Sequence, residues 1–137
     1  MSVDLIYLAS SVAVWILVME MNSSQDAVWS KYVKDQGDND KLHLWDAIGI
    51  AALGILIAFG YRGVSIESFT LGLFFFFSRA GYFSWRMNMK RNHVGWNHLG
   101  NRGWDKIFNG HNTLYFITCF VGMAGCLTWL FKEYVSM

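Results

Sequence analysis

Residues 113–131 read TLYFITCFVGMAGCLTWLF, nineteen positions without a charge, and this run decides the class of fold. A helix needs roughly 20 predominantly apolar residues to cross the hydrocarbon of a bilayer, so the stretch fits a membrane crossing by length and by composition. Working outward from it, residues 5–21, LIYLASSVAVWILVMEM, read the same way, with Glu20 as their one charge. Two further blocks are less clean: 44–61 carries Asp46 near its start, and 66–85 carries Glu67 at one end and Arg79 toward the other. Within the last block Phe74, Phe75, Phe76 and Phe77 are consecutive, so they point around most of a helix and leave no side for water. None of the blocks alternates as strands do, and all exceed ordinary strand length. The sequence therefore predicts an all-α polytopic membrane protein, a single integral membrane domain over residues 1–137 with four transmembrane helices. Three crossings, with one segment re-entrant or interfacial, is the alternative.

Composition agrees. Hydrophobic residues make up 54% of the 137 positions and charged ones only 15%, outside the usual soluble range. Eleven Lys and Arg against ten Asp and Glu give a formal charge of +1, which removes the basic excess expected of a nucleic-acid-binding domain. The absence of proline argues against a linker between domains. The first block follows an acidic start, Met-Ser-Val-Asp, and ends without a small-x-small cleavage site, so it is expected to be a retained helix and not a signal peptide.

Topology follows from the connections. Residues 62–65 allow only a tight turn, which makes the second and third spans an antiparallel hairpin. The connections 22–43 and 86–112 read as long loops sharing the opposite face. That face would hold Lys31, Lys34, Lys41, Arg79, Arg86, Lys90, Arg91, Arg102 and Lys106, against Arg62 and Lys132 on the other. The positive-inside bias then places both loops in the cytoplasm and both termini outside, in a host inner membrane or a viral membrane.

Glu20, Asp46 and Arg79 fall at similar depths in this arrangement. A lone charge near the bilayer centre costs roughly 2.5–3.5 kcal/mol, so these three are candidates for ion pairing, with Arg79 to Asp46 the favoured pair. With no titratable group at mid-bilayer, the cluster reads as an interhelical clamp more readily than as a proton relay. Ala47, Ala51, Gly54 and Ala58 on the second span, and Gly122 and Gly125 on the fourth, are small enough to allow close helix approach. Cys119 and Cys126 lie about two turns apart on one helix face, too far to bridge.

The second loop is the most informative stretch: residues 85–112 read WRMNMKRNHVGWNHLGNRGWDKIFNGHN. Trp85, Trp96 and Trp104 suit the headgroup level, and Arg86, Lys90, Arg91, Arg102 and Lys106 would face anionic headgroups. Asn88 can bond loop carbonyls, Gly100 can supply a turn, and Asp105 can cap a short helix or pair with Arg79 or Arg91. Together with His98 these residues are the candidate loop and headgroup contacts.

The run Arg79-x3-Phe83-x4-Asn88-x2-Arg91, then Trp96-x-His98-Leu99-Gly100 and Asp105, resembles a pattern in small uncharacterised integral membrane proteins of Bacteroidetes phages and prophages. Asn92 stands where that pattern has Gly, and His98 where it has Tyr. The resemblance implies a phage-associated membrane protein and brings no activity with it.

All four histidines, His43, His93, His98 and His111, fall on the loop face, with Asp46 one turn after His43. His43, Asp46, His93 and His98 are weak metal candidates, because no HExxH, HxxxH or Cys/His framework accompanies them. No nucleophile has an evident base, and no phosphate-binding glycine motif occurs. The reading is a non-enzymatic structural or accessory membrane component, without cofactor, partnered by membrane lipids, further copies of itself or a phage structural protein. A holin-like or channel-like pore is one alternative, and a metal-dependent or lipid-headgroup enzyme at the cytoplasmic face is another.

Overall fold

The computed structural model describes residues 2–32, 36–91, 94–99, 107–108 and 110–135, with the side chains of 29–32, 36–43 and 133 outside that description. Helix α1 spans Val3–Tyr32, α2 Gln36–Arg62, α3 Ile66–Phe77, α4 Phe83–Lys90 and α5 Asn112–Val135; no strand occurs among the described residues. A π turn at Ser78–Tyr82 joins α3 to α4, its register set by the Phe83 N–H donating to the Ser78 carbonyl. Residues 66–90 thus form one helical path.

Three helices are long and apolar enough to cross a membrane, at Val3–Val28, Leu44–Arg62 and Asn112–Lys132. The helices run further than their apolar parts. No Pro or Gly interrupts residues 22–32, so the backbone ladder of α1 continues through polar sequence. The hydroxyls of Ser23 and Ser24 donate to the Glu20 carbonyl, each at 2.9 Å, and so find partners within the helix. The long loops expected over 22–43 and 86–112 are corrected accordingly: α1 ends at Tyr32, α2 begins at Gln36, and α4 continues to Lys90.

Packing distributes side chains in a way suited to lipid. Helix α1 buries Leu8, Ser11, Trp15, Met19, Ser23 and Ala27 at three- or four-residue spacing, while Val14, Leu17, Met21 and Val28 are exposed. Helix α2 buries Ile50, Gly54, Ala58 and Tyr61 and exposes Leu53, Ile55, Leu56 and Phe59. In α3, Ser68, Leu71, Phe74 and Phe75 are buried while Phe69 and Phe76 face outward. Hydroxyl-bearing and small residues thus share the interior with aromatic rings, and branched aliphatic and aromatic residues cover much of the outside. In water such continuous apolar surface marks an interaction site, whereas in lipid it faces its own solvent.

Helix α3 packs against α2 and α5, and α4 packs against α1. Trp15 stands at the centre, its ring stacked on Phe75 at 4.4 Å and its Nε1 donating to Ser78 Oγ at 2.6 Å. Ser78 Oγ in turn donates to the Phe75 carbonyl at 2.9 Å, so the indole is anchored at the start of the π turn. Of the small residues, Gly54 takes the edge of Trp15 and Gly122 takes the Phe77 ring, which an added Cβ would meet at 3.0 and 2.7 Å. Ala58 is buried, but Ala47 and Ala51 are exposed and Gly125 faces open space.

At the hairpin end, Gly63 adopts φ 61°, a left-handed conformation that favours glycine, and Ser65 caps α3 by accepting from the Ser68 N–H at 3.1 Å. Arg62 pairs there with Asp4 at 2.8 Å and lies 3.7 Å from Glu67. The hydroxyls of Tyr61 and Tyr134 meet at 3.0 Å.

Candidate functional site

The opposite end of the bundle gathers most of the described residues singled out in the sequence. Tyr82, Arg86 and Lys90 recur every four residues, so they form one stripe along the π turn and α4, facing α1. Glu20 receives all three. Its carboxylate accepts from Arg86 Nη2 at 2.5 Å and from Arg86 Nε at 2.9 and 3.1 Å, a fork geometry that fixes the guanidinium in its plane. Lys90 Nζ stands 3.0 Å from Glu20 Oε1, and the Tyr82 hydroxyl donates to Oε2 at 3.2 Å. Lys90 also donates to the Glu20 carbonyl at 3.0 Å and to Ser23 and Ser24 Oγ at 2.7 and 2.8 Å, which matches its hydrogens with acceptors on α1.

Among the described residues, ion pairs join Glu20 to Arg86 and Lys90, and Arg62 to Asp4 and Glu67. Asp46 is exposed on α2 and takes no part in them. The expected Arg79 to Asp46 pairing is therefore replaced by a pairing of Glu20 with cations about two and three turns further along. The reason is geometric. Residues 44–49 of α2 all point outward, and the Arg79 guanidinium lies over the Phe83 ring, 3.5 Å from its centroid.

Asn88 fastens the loop. It is buried, and its Nδ2 donates to the carbonyls of Trp96 and His98 at 3.1 and 2.7 Å. Leu99 is thereby held in a small core with Tyr115, Phe116 and Cys119, against which Trp85 packs. Trp85 meets Phe120 edge-on at 5.9 Å, and Trp96 is half exposed beside Phe116. The His98 side chain is exposed. Arg91 is partly buried, with Nε lacking a hydrogen-bond partner, and burial lowers its proton affinity from the ordinary value while the Asp26 carboxylate acts the other way.

Gly100, Arg102, Trp104, Asp105 and His93 lie outside the described residues, as does the His43 side chain. Among the described residues no three His, Cys, Asp or Glu side chains come together as a metal would require.

Two openings accompany this end. An open cleft of about 380 Å³ beside the start of α5 is lined by Asn97, Gly110, His111, Asn112, Thr113 and Leu114. A more enclosed, mainly apolar groove of about 260 Å³ lies among α1, α2 and α3, with Trp15, Ile50, Gly54 and Phe75 in its walls and Arg79 among the lining residues. The groove was not foreseen from the sequence, because it depends on where α2 separates from its neighbours. The four-residue spacing of Tyr82, Arg86 and Lys90 was a usable signal for the cation stripe.

No family model, curated protein or solved structure matches the chain.

Proposed function

We propose that the chain is a multi-pass membrane protein that crosses the bilayer four times and acts without chemistry of its own, as a structural or accessory component of the membrane. The observation that carries this reading is the outward-facing apolar surface of α1, α2 and α3 around an interior holding Ser11, Ser23, Ser68, Ser78 and Asn88. The third crossing is made by the continuous path of residues 66–90. At a rise of about 1.5 Å per residue, its apolar part from 66 to 85 extends roughly 30 Å, the thickness of the hydrocarbon. Filling of the interior by Trp15, Phe74, Phe75 and Phe116 supports a packed bundle in preference to a pore within one chain. Nine cations toward the long-loop end against two at the other support a cytoplasmic long-loop end and external termini. The resemblance of residues 79–105 supports a phage-associated setting.

Cysteine accessibility tests the reading. In a background with Cys119→Ala and Cys126→Ala, single cysteines at Gln25→Cys and His98→Cys should react only from the cytoplasmic side. Val64→Cys, at the exposed hairpin turn, should react with an impermeant reagent from outside. Labelling of positions 25 and 98 from opposite sides would overturn the four-crossing arrangement.

A further inference from the structure

The Glu20 clasp accounts for the hold of α4 on α1, but not for the way the loop beyond it is fastened to the start of α5. Residues 94–99 read VGWNHL, and three of them engage the first turns of that helix. Asn97 Nδ2 donates to Thr113 Oγ1 at 3.0 Å, the Trp96 ring lies 6.0 Å from that of Phe116, and Leu99 is buried with Tyr115, Phe116 and Cys119. These contacts fix a depth. Phe116 stands about one turn past Asn112, where the apolar stretch of α5 begins, and about one turn before Phe120, which meets Trp85. Under the membrane reading Trp85 ends the third crossing, so Trp96 sits between the edge of the hydrocarbon and the water.

The backbone of the loop is suited to that level, where acyl chains offer no hydrogen bonds. The Gly95 carbonyl accepts from the His98 N–H at 3.0 Å, and the carbonyls of Trp96 and His98 accept from Asn88 Nδ2. Asn88 is itself 2% exposed. In a loop open to water solvent would serve those carbonyls, and a buried amide would be an expensive substitute. The sequence agrees, since positions 92–101 hold no Lys, Arg, Asp or Glu although Arg91 and Arg102 stand on either side. The outward side is apolar and aromatic: Trp96 is 47% exposed, Ile107 68% and Phe108 37%. A run of rings connects them around the start of α5, from Trp96 to Phe116, from Phe116 to Tyr115 at 5.4 Å and from Tyr115 to Phe108 at 5.1 Å. Leu114 and Ile117, exposed on α5, continue the apolar surface at the same level.

We infer that residues 94–99 are a shallow interfacial anchor, whose exposed side, led by Trp96, docks into the headgroup level of the bilayer at the long-loop end, with Asn88 as its internal hydrogen-bond donor. The inference rests on the membrane reading above. Depth and continuity with the apolar face of α5 select the occupant, the lipid of the protein's own membrane. An indole at that level keeps its body in apolar surroundings and its N–H wet, and it asks for no particular headgroup charge. Shallow placement also leaves the exposed His98 side chain within reach of the cytoplasm.

Fluorine NMR of the full chain, labelled with fluorotryptophan and reconstituted into phosphatidylcholine nanodiscs, tests it. The Trp96 and Trp15 signals are assigned by their loss in Trp96→Phe and Trp15→Phe. The Trp96 signal should lose most of its intensity to phosphatidylcholine spin-labelled beside the headgroup, and less to the same lipid labelled at its chain end or to a water-soluble gadolinium chelate. Asn88→Ala should make gadolinium the strongest of the three as the loop lifts away, while an unshifted Trp15 signal reports an intact bundle. Greatest loss to gadolinium in the wild-type protein would overturn the inference without any variant and mark the Trp96 side as a surface for a soluble partner. An unchanged order in an intact Asn88→Ala protein would overturn the part given to Asn88. Failure of the membrane reading shows separately, as labelling of positions 25 and 98 from opposite sides; gadolinium dominance at Trp96 with that labelling as expected is the failure of this inference alone.

Discussion

The two ends of the bundle solve the same problem, charges at the margin of an apolar molecule, in different ways. At the hairpin end Arg62 meets Asp4 and Glu67, with the Asp4 side chain 47% exposed, and the contact adds to a turn already set by Gly63 and Ser65. At the long-loop end Glu20 meets a forked guanidinium, an ammonium and a phenol, all from the π turn and α4. The first reaches 58 positions from α2 to Asp4 on α1 and crosses the three-residue turn to Glu67, with a single guanidinium serving both carboxylates. The second links α1 to a helix more than 60 positions away and is a principal polar contact between them. Both ends join partners far apart in the chain, and the difference teaches that an ion pair matters most where several donors converge on one carboxylate that is less open to solvent.

Loss of the Glu20 carboxylate should accordingly have the largest effect. Glu20→Ala leaves Arg86 and Lys90 partly buried without their counter-charge. The detergent-solubilised protein should lose roughly 2 kcal/mol in SDS-induced unfolding, less than a fully buried pair because all three side chains are partly exposed. A loss no greater than that of Asp4→Ala would break the comparison.

The loop at the same end gives the next effect. Asn88→Ala leaves the carbonyls of Trp96 and His98 without their donor and should cost about 1–2 kcal/mol. Proteolysis within residues 91–111 should quicken as the loop is released, whereas cleavage at the hairpin turn should not change.

How much of this was legible beforehand differs between the two ends and between backbone and side chains. Apolar runs located the parts of α1, α2 and α5 that are long and apolar enough to cross a membrane, because in lipid a helix must satisfy its own backbone and hydropathy measures the solvent. They did not locate helix ends: residues 22–32 and 86–90 are polar yet helical, since nothing in them breaks the ladder. Glu20, Arg79 and Asp46 were recognisable as expensive residues, but their partners were not, because depth alone says nothing about which way a helix is rotated. The π turn shifts that rotation for Tyr82, Arg86 and Lys90, and it begins where Trp15 reaches Ser78, a contact spanning 63 positions with no local signature. The opening of α2 is likewise a matter of helix angle, which spacing does not encode.

Asp4→Ala should cost no more than about 1 kcal/mol, as partly exposed pairs do. High salt should shrink this difference further while leaving most of the Glu20 effect. Smallest of all is the coupling between Arg79 and Asp46. Because Asp46 is exposed and Arg79 lies on Phe83, Arg79→Ala and Asp46→Asn should be additive within about 0.5 kcal/mol in a double-mutant cycle. A larger coupling would mean that α2 closes onto the clasp and that the two ends are more alike than described.

The central claim is that residues 66–90 make a crossing of their own, although the π turn interrupts them. Spin labels at Phe76→Cys and Met89→Cys, both at exposed positions, test it in liposomes by comparing relaxation by oxygen and by a water-soluble nickel complex. The label at 76 should respond to oxygen and be shielded from nickel to the same degree as one at Leu56→Cys in α2, while the label at 89 should respond to nickel. Nickel access at 76 equal to that at 89 would contradict the account and leave this segment lying on the membrane surface.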